Sequence, residues 1–294
     1  MKFHECGQIY KLNSDNLISN NLKNIKIKTE TSDVLSYVID SVFDIFDVEP
    51  NSVYLRGSCV DRSLSDSSVI DLDLIFVFDD DQYYQQIYKK KTDISFCSFP
   101  YLEDGNKMII AKEQKTIEDQ ILSRFGKHIE IDIDMFSEEI FLDNTIKRFY
   151  SKKIYGNGKD FSISELSEDT LLDISENDVL PHRKELCLKK LTKLKNFLYM
   201  KSSFECNLRN RLTKSLIKLF FRKYSFDLLL KEKSFSKDVY YCFNSIEKNY
   251  SEHSVYLREI LDLFLNTDSY SDGDVRLLLS KLEYLIYEFE LDKS

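Results

Sequence analysis

The sequence predicts an α/β (α+β) domain with a mixed sheet, followed by an all-α helical bundle. Three observations carry that expectation. Up to about residue 160 the apolar pattern switches between period 3.6 and period 2, in the order helix, strand, turn, strand, helix, strand. The strand-like runs there are rich in β-branched and aromatic residues. Beyond Pro181 only helical spacing recurs, and no run reads as a convincing strand. The expected division is a first domain over 1–160, a polar linker over 161–180 and a helical bundle over 181–294.

Each element follows from local pattern. Residues 32–47, SDVLSYVIDSVFDIFD, place Val34, Val38, Val42, Phe43 and Phe46 at helical spacing, with Ser32 or Asp33 available as a cap. EPN breaks the helix, SVYLRG reads as a strand and Gly57–Ser58 as a turn. VIDLDLIFVF is the next strand, ending in the acidic turn DDD. A polar, tyrosine-rich stretch runs to Lys91, and DISFCSF is a weaker strand candidate. KTIEDQILSRFGK forms a helix with Ile117, Ile121, Leu122 and Phe125 inward and Gly126 near its end. HIEIDIDMF alternates apolar with acidic residues, so it is a strand with Glu130, Asp132 and Asp134 on one face. FLDNTIKRFYSKKIYGNG reads as a helix leading into a short extended piece and a glycine turn. In the second half, helical patterns cover 182–202, 205–224, 236–249, 251–266 and 272–290, with Pro181 at the first turn of the first of them.

Composition narrows the class of protein. The 294 residues suffice for one large domain or two ordinary ones, and 43% hydrophobic with 31% charged residues describes a chain that folds around real cores. No apolar run reaches the roughly 18 residues of a spanning helix, and the N-terminus lacks an apolar signal core, so a cytoplasmic location is expected. Cys6, Cys59, Cys97, Cys187, Cys206 and Cys242 are scattered with no CxxC pair, which indicates neither a zinc site nor a disulfide framework. His4, His128, His182 and His253 are far apart, against a histidine-based metal site or triad. The net charge of −9 hides a polarity: from His182 to Lys233 there are 15 Lys and Arg against 4 Asp and Glu.

The chemistry is concentrated in VYLRGSCVDRSLSDSSVIDLDLIFVF, residues 53 to 78. A carboxylate within a buried strand is costly unless something pairs with it. Asp71 and Asp73, two apart on a strand, point to one face and offer hard oxygen ligands suited to Mg²⁺. Gly57–Ser58, after the preceding strand, offers open backbone N–H groups and a hydroxyl to a phosphate. A further carboxylate from an adjacent strand would complete a two-metal site for phosphoryl or nucleotidyl transfer.

A strand, Gly-Ser, a spacer, then Asp-x-Asp inside an apolar strand resembles the signature of the DNA polymerase β-like nucleotidyltransferase superfamily. The nearer likeness is to its minimal branch, which includes aminoglycoside adenylyltransferases and antitoxin-type nucleotidyltransferases. KKIYGNGKDF resembles the short Tyr-Gly segment of that branch. The match covers about residues 50 to 160, and the helical half is similar only in kind.

The resemblance implies that Gly57 and Ser58 hold nucleotide phosphates and that Asp71 and Asp73 ligate two Mg²⁺ ions with an NTP as donor. Asp132 is the first choice for the third carboxylate, with Asp134 and Glu130 as alternatives on the same face. Relatives often carry Arg-Gly soon after Gly-Ser; this spacer reads Asp61–Arg62 without the glycine, which leaves Arg62 as the phosphate contact.

The acceptor is open. A small-molecule hydroxyl is the leading expectation, with an RNA end such as that of tRNA, or a protein hydroxyl modified by AMPylation in a toxin–antitoxin or phage-defence pair, as alternatives. The Arg-x4-6-His motif of the partner nucleases is absent from the sequence. An RNA acceptor would use the basic stripe Arg211, Lys214, Lys218 and Arg222, which helical spacing sets beside an apolar face of Leu208, Leu212, Leu216 and Leu219. A non-catalytic nucleotide sensor is the alternative of a different class.

Overall fold

The paired carboxylate strands lie inside a four-stranded mixed sheet. In this computed structural model the described residues are 9–27, 29–56, 69–87, 111–200 and 206–291, with 30, 69–71, 86, 87, 111–114, 200, 206–208 and 291 described by their backbone alone. The chain divides into two units: Ser19–Glu165, and Leu166–Ser294 together with the first eighteen residues.

The Ser19–Glu165 unit contains helix α1 (Thr29–Phe46), strands β1 (Ser52–Arg56) and β2 (Val69–Phe78), and helix α2 (Ala111–Phe125). Strand β3 (His128–Ser137), short helices α3 (Glu138–Leu142) and α4 (Thr145–Phe149) and strand β4 (Ser151–Tyr155) follow. The strand order is β3-β2-β1-β4. Strand β1 runs antiparallel to both of its neighbours, whereas β2 and β3 are parallel. A parallel pair requires a crossover, and the chain between these strands includes α2. The weaker strand candidate DISFCSF, at 93–99, lies outside the described residues.

Alternation divides this sheet into two chemically different faces. Val53, Leu55, Leu72, Leu74, Phe76, Ile131, Ile133 and Met135 point to one side and pack with Val38, Val42 and Phe46 of α1 and Ile117 and Ile121 of α2. On the other side Tyr54, Ile75, Val77 and Phe136 form a smaller cluster with Phe141 and Phe161. Tyr54 Oη accepts from the Phe161 N–H at 2.9 Å and donates to the Lys159 carbonyl at 3.3 Å, which fastens the chain after β4 to β1. Burial raises the Tyr54 phenol above its ordinary pKa.

The Tyr-Gly segment after β4 makes the closest backbone approach in this unit's described glycines. Gly156 has φ +93°, and a Cβ there would stand 2.2 Å from the Asn51 carbonyl oxygen, while the Gly158 N–H donates to that same oxygen at 2.9 Å. Strain and backbone overlap act together at this position. Gly156→Ala is therefore expected to cost about 2–4 kcal/mol, measured as a lower urea midpoint at unchanged slope.

The second unit carries helices α5 (Glu168–Ile174), α6 (Arg183–Met200), α7 (Cys206–Lys231), α8 (Val239–Asn249), α9 (Ser254–Leu265) and α10 (Asp272–Leu291). One core joins Leu191 and Leu194 of α6, Phe220 and Phe221 of α7, Ile246 of α8, Leu257 of α9 and Phe289 of α10. Cys187 and Cys242 are buried free thiols, pushed up to about 12 and about 11 mainly by burial. No helix of the described residues is long and apolar enough to cross a membrane.

Three local expectations change here. The polar segment 161–180 contains α5, because Ser167 Oγ caps it by accepting from the Thr170 N–H at 3.1 Å and Leu171 is buried beneath it. A strand does occur late in the chain: Ser234–Ser236 pairs antiparallel with Ile9–Lys11. Three residues are too few to display alternation, so the pairing is set by the distant partner. Finally, α7 continues to Lys231 and turns a different face inward. Thr213, Leu216, Ile217, Phe220, Phe221 and Tyr224 are buried, whereas Leu212 and Leu219 are only partly so. The rings of Phe220 and Tyr224 pack against Phe289 and that of Phe221 against Phe243, and aromatic side chains dominate core energetics.

Candidate active site

The face that holds the small Tyr54 cluster becomes acidic toward the N-terminal ends of β2 and β3. Their parallel register places Asp71 opposite Glu130, Asp73 opposite Asp132 and Ile75 opposite Asp134. Both Asp73 and Asp132 are half-buried, Glu130 is exposed and Asp134 is buried. Apolar residues on the reverse face of both strands, Leu72, Leu74, Ile131 and Ile133, anchor them in the main core. That anchoring sets the register, because a one-residue slip would turn the carboxylates into the core.

Gly57, Ser58 and Arg62 lie outside the described residues. Gly57 and Ser58 are the first and second residues after Arg56, the last residue of β1, whose backbone lies opposite Asp73. The structure therefore brings Asp73 and Asp132 together, with the Asp71 backbone in line.

The three candidates for a third carboxylate have different surroundings. Asp134 Oδ2 lies 3.5 Å from Arg56 Nη1 and 3.6 Å from Lys147 Nζ. Glu130 stands at the exposed beginning of the ladder. Asp132 is the one across from Asp73. Arg56 and Lys147 are residues that pattern reasoning passed over. A charge closing the apolar run SVYL, immediately before Gly57, was the available signal for Arg56; nothing in the sequence tied Lys147 to a carboxylate thirteen residues earlier.

The donor chemistry fits magnesium. Aspartates at 71, 73 and 132 would supply only hard oxygen atoms, the ligands Mg²⁺ prefers, with no thiolate or imidazole among them. Among the described residues no three His, Cys, Asp or Glu side chains form a metal-holding group. Of the three expected carboxylates, Asp73 and Asp132 have described side chains.

The basic stripe belongs to α7 in the helical unit. Arg211 and Lys218 are exposed, and Lys214 and Arg222 are half-buried. Arg222 Nε donates to the Lys237 carbonyl at 2.7 Å, a bond that ties α7 to the chain entering α8. Lys190 Nζ of the neighbouring α6 donates to Ser215 Oγ at 3.1 Å, adding a cation to the same stripe.

No known family model matches this sequence, and no curated protein matches it.

Proposed function

We propose that the protein is a Mg²⁺-dependent nucleotidyltransferase that moves a nucleoside monophosphate from an NTP to a hydroxyl acceptor, in the first instance a small molecule. The observation that carries this reading is the register of Asp73 opposite Asp132, with Asp71 two residues earlier and Arg56, the residue before Gly57–Ser58 in the sequence, opposite Asp73. Asp71, Asp73 and Asp132 would hold the metal. Bound Mg²⁺ would neutralise triphosphate charge and favour ionisation of the acceptor hydroxyl. The backbone N–H groups of Gly57 and Ser58 and the Arg62 guanidinium would fix the phosphates. In the transfer the acceptor oxygen bonds to the α-phosphorus as the α–β bridging bond breaks. Pyrophosphate leaves with the electron pair, and the hydroxyl proton passes to water.

A second reading, an RNA acceptor, is favoured by one observation. The segment His182–Lys233 carries 15 basic and 4 acidic residues, and Arg211 and Lys218 of it are exposed.

The test is incubation with each α-labelled NTP, Mg²⁺, total cellular RNA and lysate, against the Asp71→Ala/Asp73→Ala double variant. Label in small molecules, RNA or protein that is absent with the variant would identify donor and acceptor class together. Equal background labelling with both proteins would count against transfer and in favour of a nucleotide sensor.

A further inference from the structure

We infer that the outer face of helix α10 is a contact surface for a second copy of this chain, the two helices pairing antiparallel about a twofold axis. No residue of the acidic face takes part, so the inference stands apart from the nucleotidyltransferase reading. Helix α10 already buries one side in the helical unit, through Val275, Leu279, Leu282, Leu285, Ile286 and Phe289. A helix that packs on one side only is polar on the other. Here the other side carries Leu277, Ser280, Tyr284 and Tyr287, spaced three, four and three residues apart. That is the spacing of the a and d positions in a helix–helix seam.

Exposure and order mark the stripe as a surface for contact. Leu277 is 61% exposed, Tyr284 44% and Tyr287 46%. Large apolar side chains exposed singly are ordinary, whereas a contiguous patch signals an interaction site. Tyr256 of α9, also exposed, widens the stripe: its ring stands edge to face with that of Tyr284, 6.0 Å between centroids. Lys184 Nζ of α6 lies 4.6 Å from the centroid of the Tyr287 ring. These neighbours hold the rings before a partner arrives, which lowers the side-chain entropy that association costs.

Size and charge choose the occupant. In an antiparallel pairing Leu277 meets Tyr287 and Ser280 meets Tyr284, each contact occurring twice. Every layer then sets a smaller residue against a larger one, as close packing requires. A parallel pairing in register would set Ser280 against Ser280 and Tyr284 against Tyr284, leaving a gap in one layer and crowding in the next. The antiparallel order also brings Lys281 beside Glu288 on one flank and Arg276 beside Glu283 on the other. Within the chain Lys281 already pairs with Glu259, Glu283 with Lys195, and Arg276 donates to the Leu198 carbonyl. The flanks therefore fix register and the stripe supplies the contact area. A polyanion such as RNA would meet Glu283 and Glu288 on the two flanks, whereas a second copy meets the opposite charges.

The experiment is sedimentation velocity of the full chain over a range of concentrations. Wild type is compared with Tyr284→Phe, Tyr284→Arg, Lys281→Glu, Glu288→Lys and the Lys281→Glu/Glu288→Lys double variant, each first checked by thermal melting. Wild type is expected to pass from monomer to dimer as concentration rises. Tyr284→Arg is expected to raise the dimer Kd about thirtyfold or more, the loss of a central interface anchor, with Tyr284→Phe near wild type. Each single charge reversal should weaken the dimer several-fold, and the double variant should regain most of that loss. A wild type that stays monomeric at every concentration would overturn the inference and leave the stripe to a protein of another sequence. A dimer that persists in folded Tyr284→Arg would place the contact elsewhere and overturn it too. A dimer that Tyr284→Arg breaks but the double reversal does not regain would keep the surface and overturn the antiparallel pairing.

Discussion

Asp73→Asn is expected to lower nucleotidyl transfer by on the order of 10³-fold, the scale of losing one preorganised charge-stabilising group at a reacting centre. The same change should leave the melting temperature in metal-free buffer unchanged or raised. Asp73 is half-buried and in register with Asp132, so two like charges stand opposite each other on one face, an arrangement that is destabilising. Asparagine keeps the shape and removes one of the two charges. With Mg²⁺ the sign reverses, because the amide is a weaker ligand than the carboxylate and metal-induced stabilisation of the wild type should be lost. The measurements are initial rates of label transfer and paired thermal melts with and without Mg²⁺. A variant that remains fully active with Mg²⁺ would remove Asp73 from the metal set.

The second large effect is expected in the helical unit, at Arg183. This arginine is 1% exposed at the start of α6. Its Nε lies 2.7 Å from Glu290 Oε1 of α10, its Nη1 3.5 Å from Asp227 Oδ1 of α7, and its guanidinium carbon 4.5 Å from the centroid of the Tyr224 ring. One buried cation therefore joins three helices. Burial, with the nearby Glu290 carboxylate, pushes the Tyr224 phenol well up, so the ring stays neutral beneath the cation. Arg183→Met removes the charge while filling much of the volume. It leaves Asp227 and Glu290 as two carboxylates around an apolar side chain.

Breaking a buried ion pair from one side costs about 3–5 kcal/mol. For a unit of this size that lowers the melting temperature by roughly 10 °C. Adding Glu290→Gln to Arg183→Met should restore part of the loss, because the uncompensated charge is then gone. An Arg183→Met protein that melts with wild type would show that the three helices are held by apolar packing alone. Calorimetric melting of the single and double variants decides between these outcomes.

The strands that bear the candidate site were legible from sequence for a simple reason. VIDLDLIFVF and HIEIDIDMF each present an apolar face every second residue, and that face becomes the main core of the sheet unit. Given that pattern, the common face of Asp71 and Asp73, and of Glu130, Asp132 and Asp134, follows without coordinates. The main helices were legible because caps and breakers mark their ends: Asp238 caps α8 by accepting from the Tyr241 N–H, and Gly126 follows α2 with φ +65°.

What local pattern could not supply was pairing between distant segments. Period 2 is the same for each carboxylate of β3, so only the parallel register with β2 sets Asp132 beside Asp73 and Asp134 beside Ile75. The convergence of Arg56 and Lys147 on Asp134 depends on three elements that share no local sequence signal. The same holds for Ser234–Ser236, which is a strand because Ile9–Lys11 lies alongside it, and for the inward face of α7, which follows the rings of Phe243 and Phe289. The sequence by itself determined which residues repeat with a helical or strand period, and hence most elements and the acidic face. Only the tertiary structure decided which of those faces and charges meet, because register and ion pairing are energies between segments rather than within them.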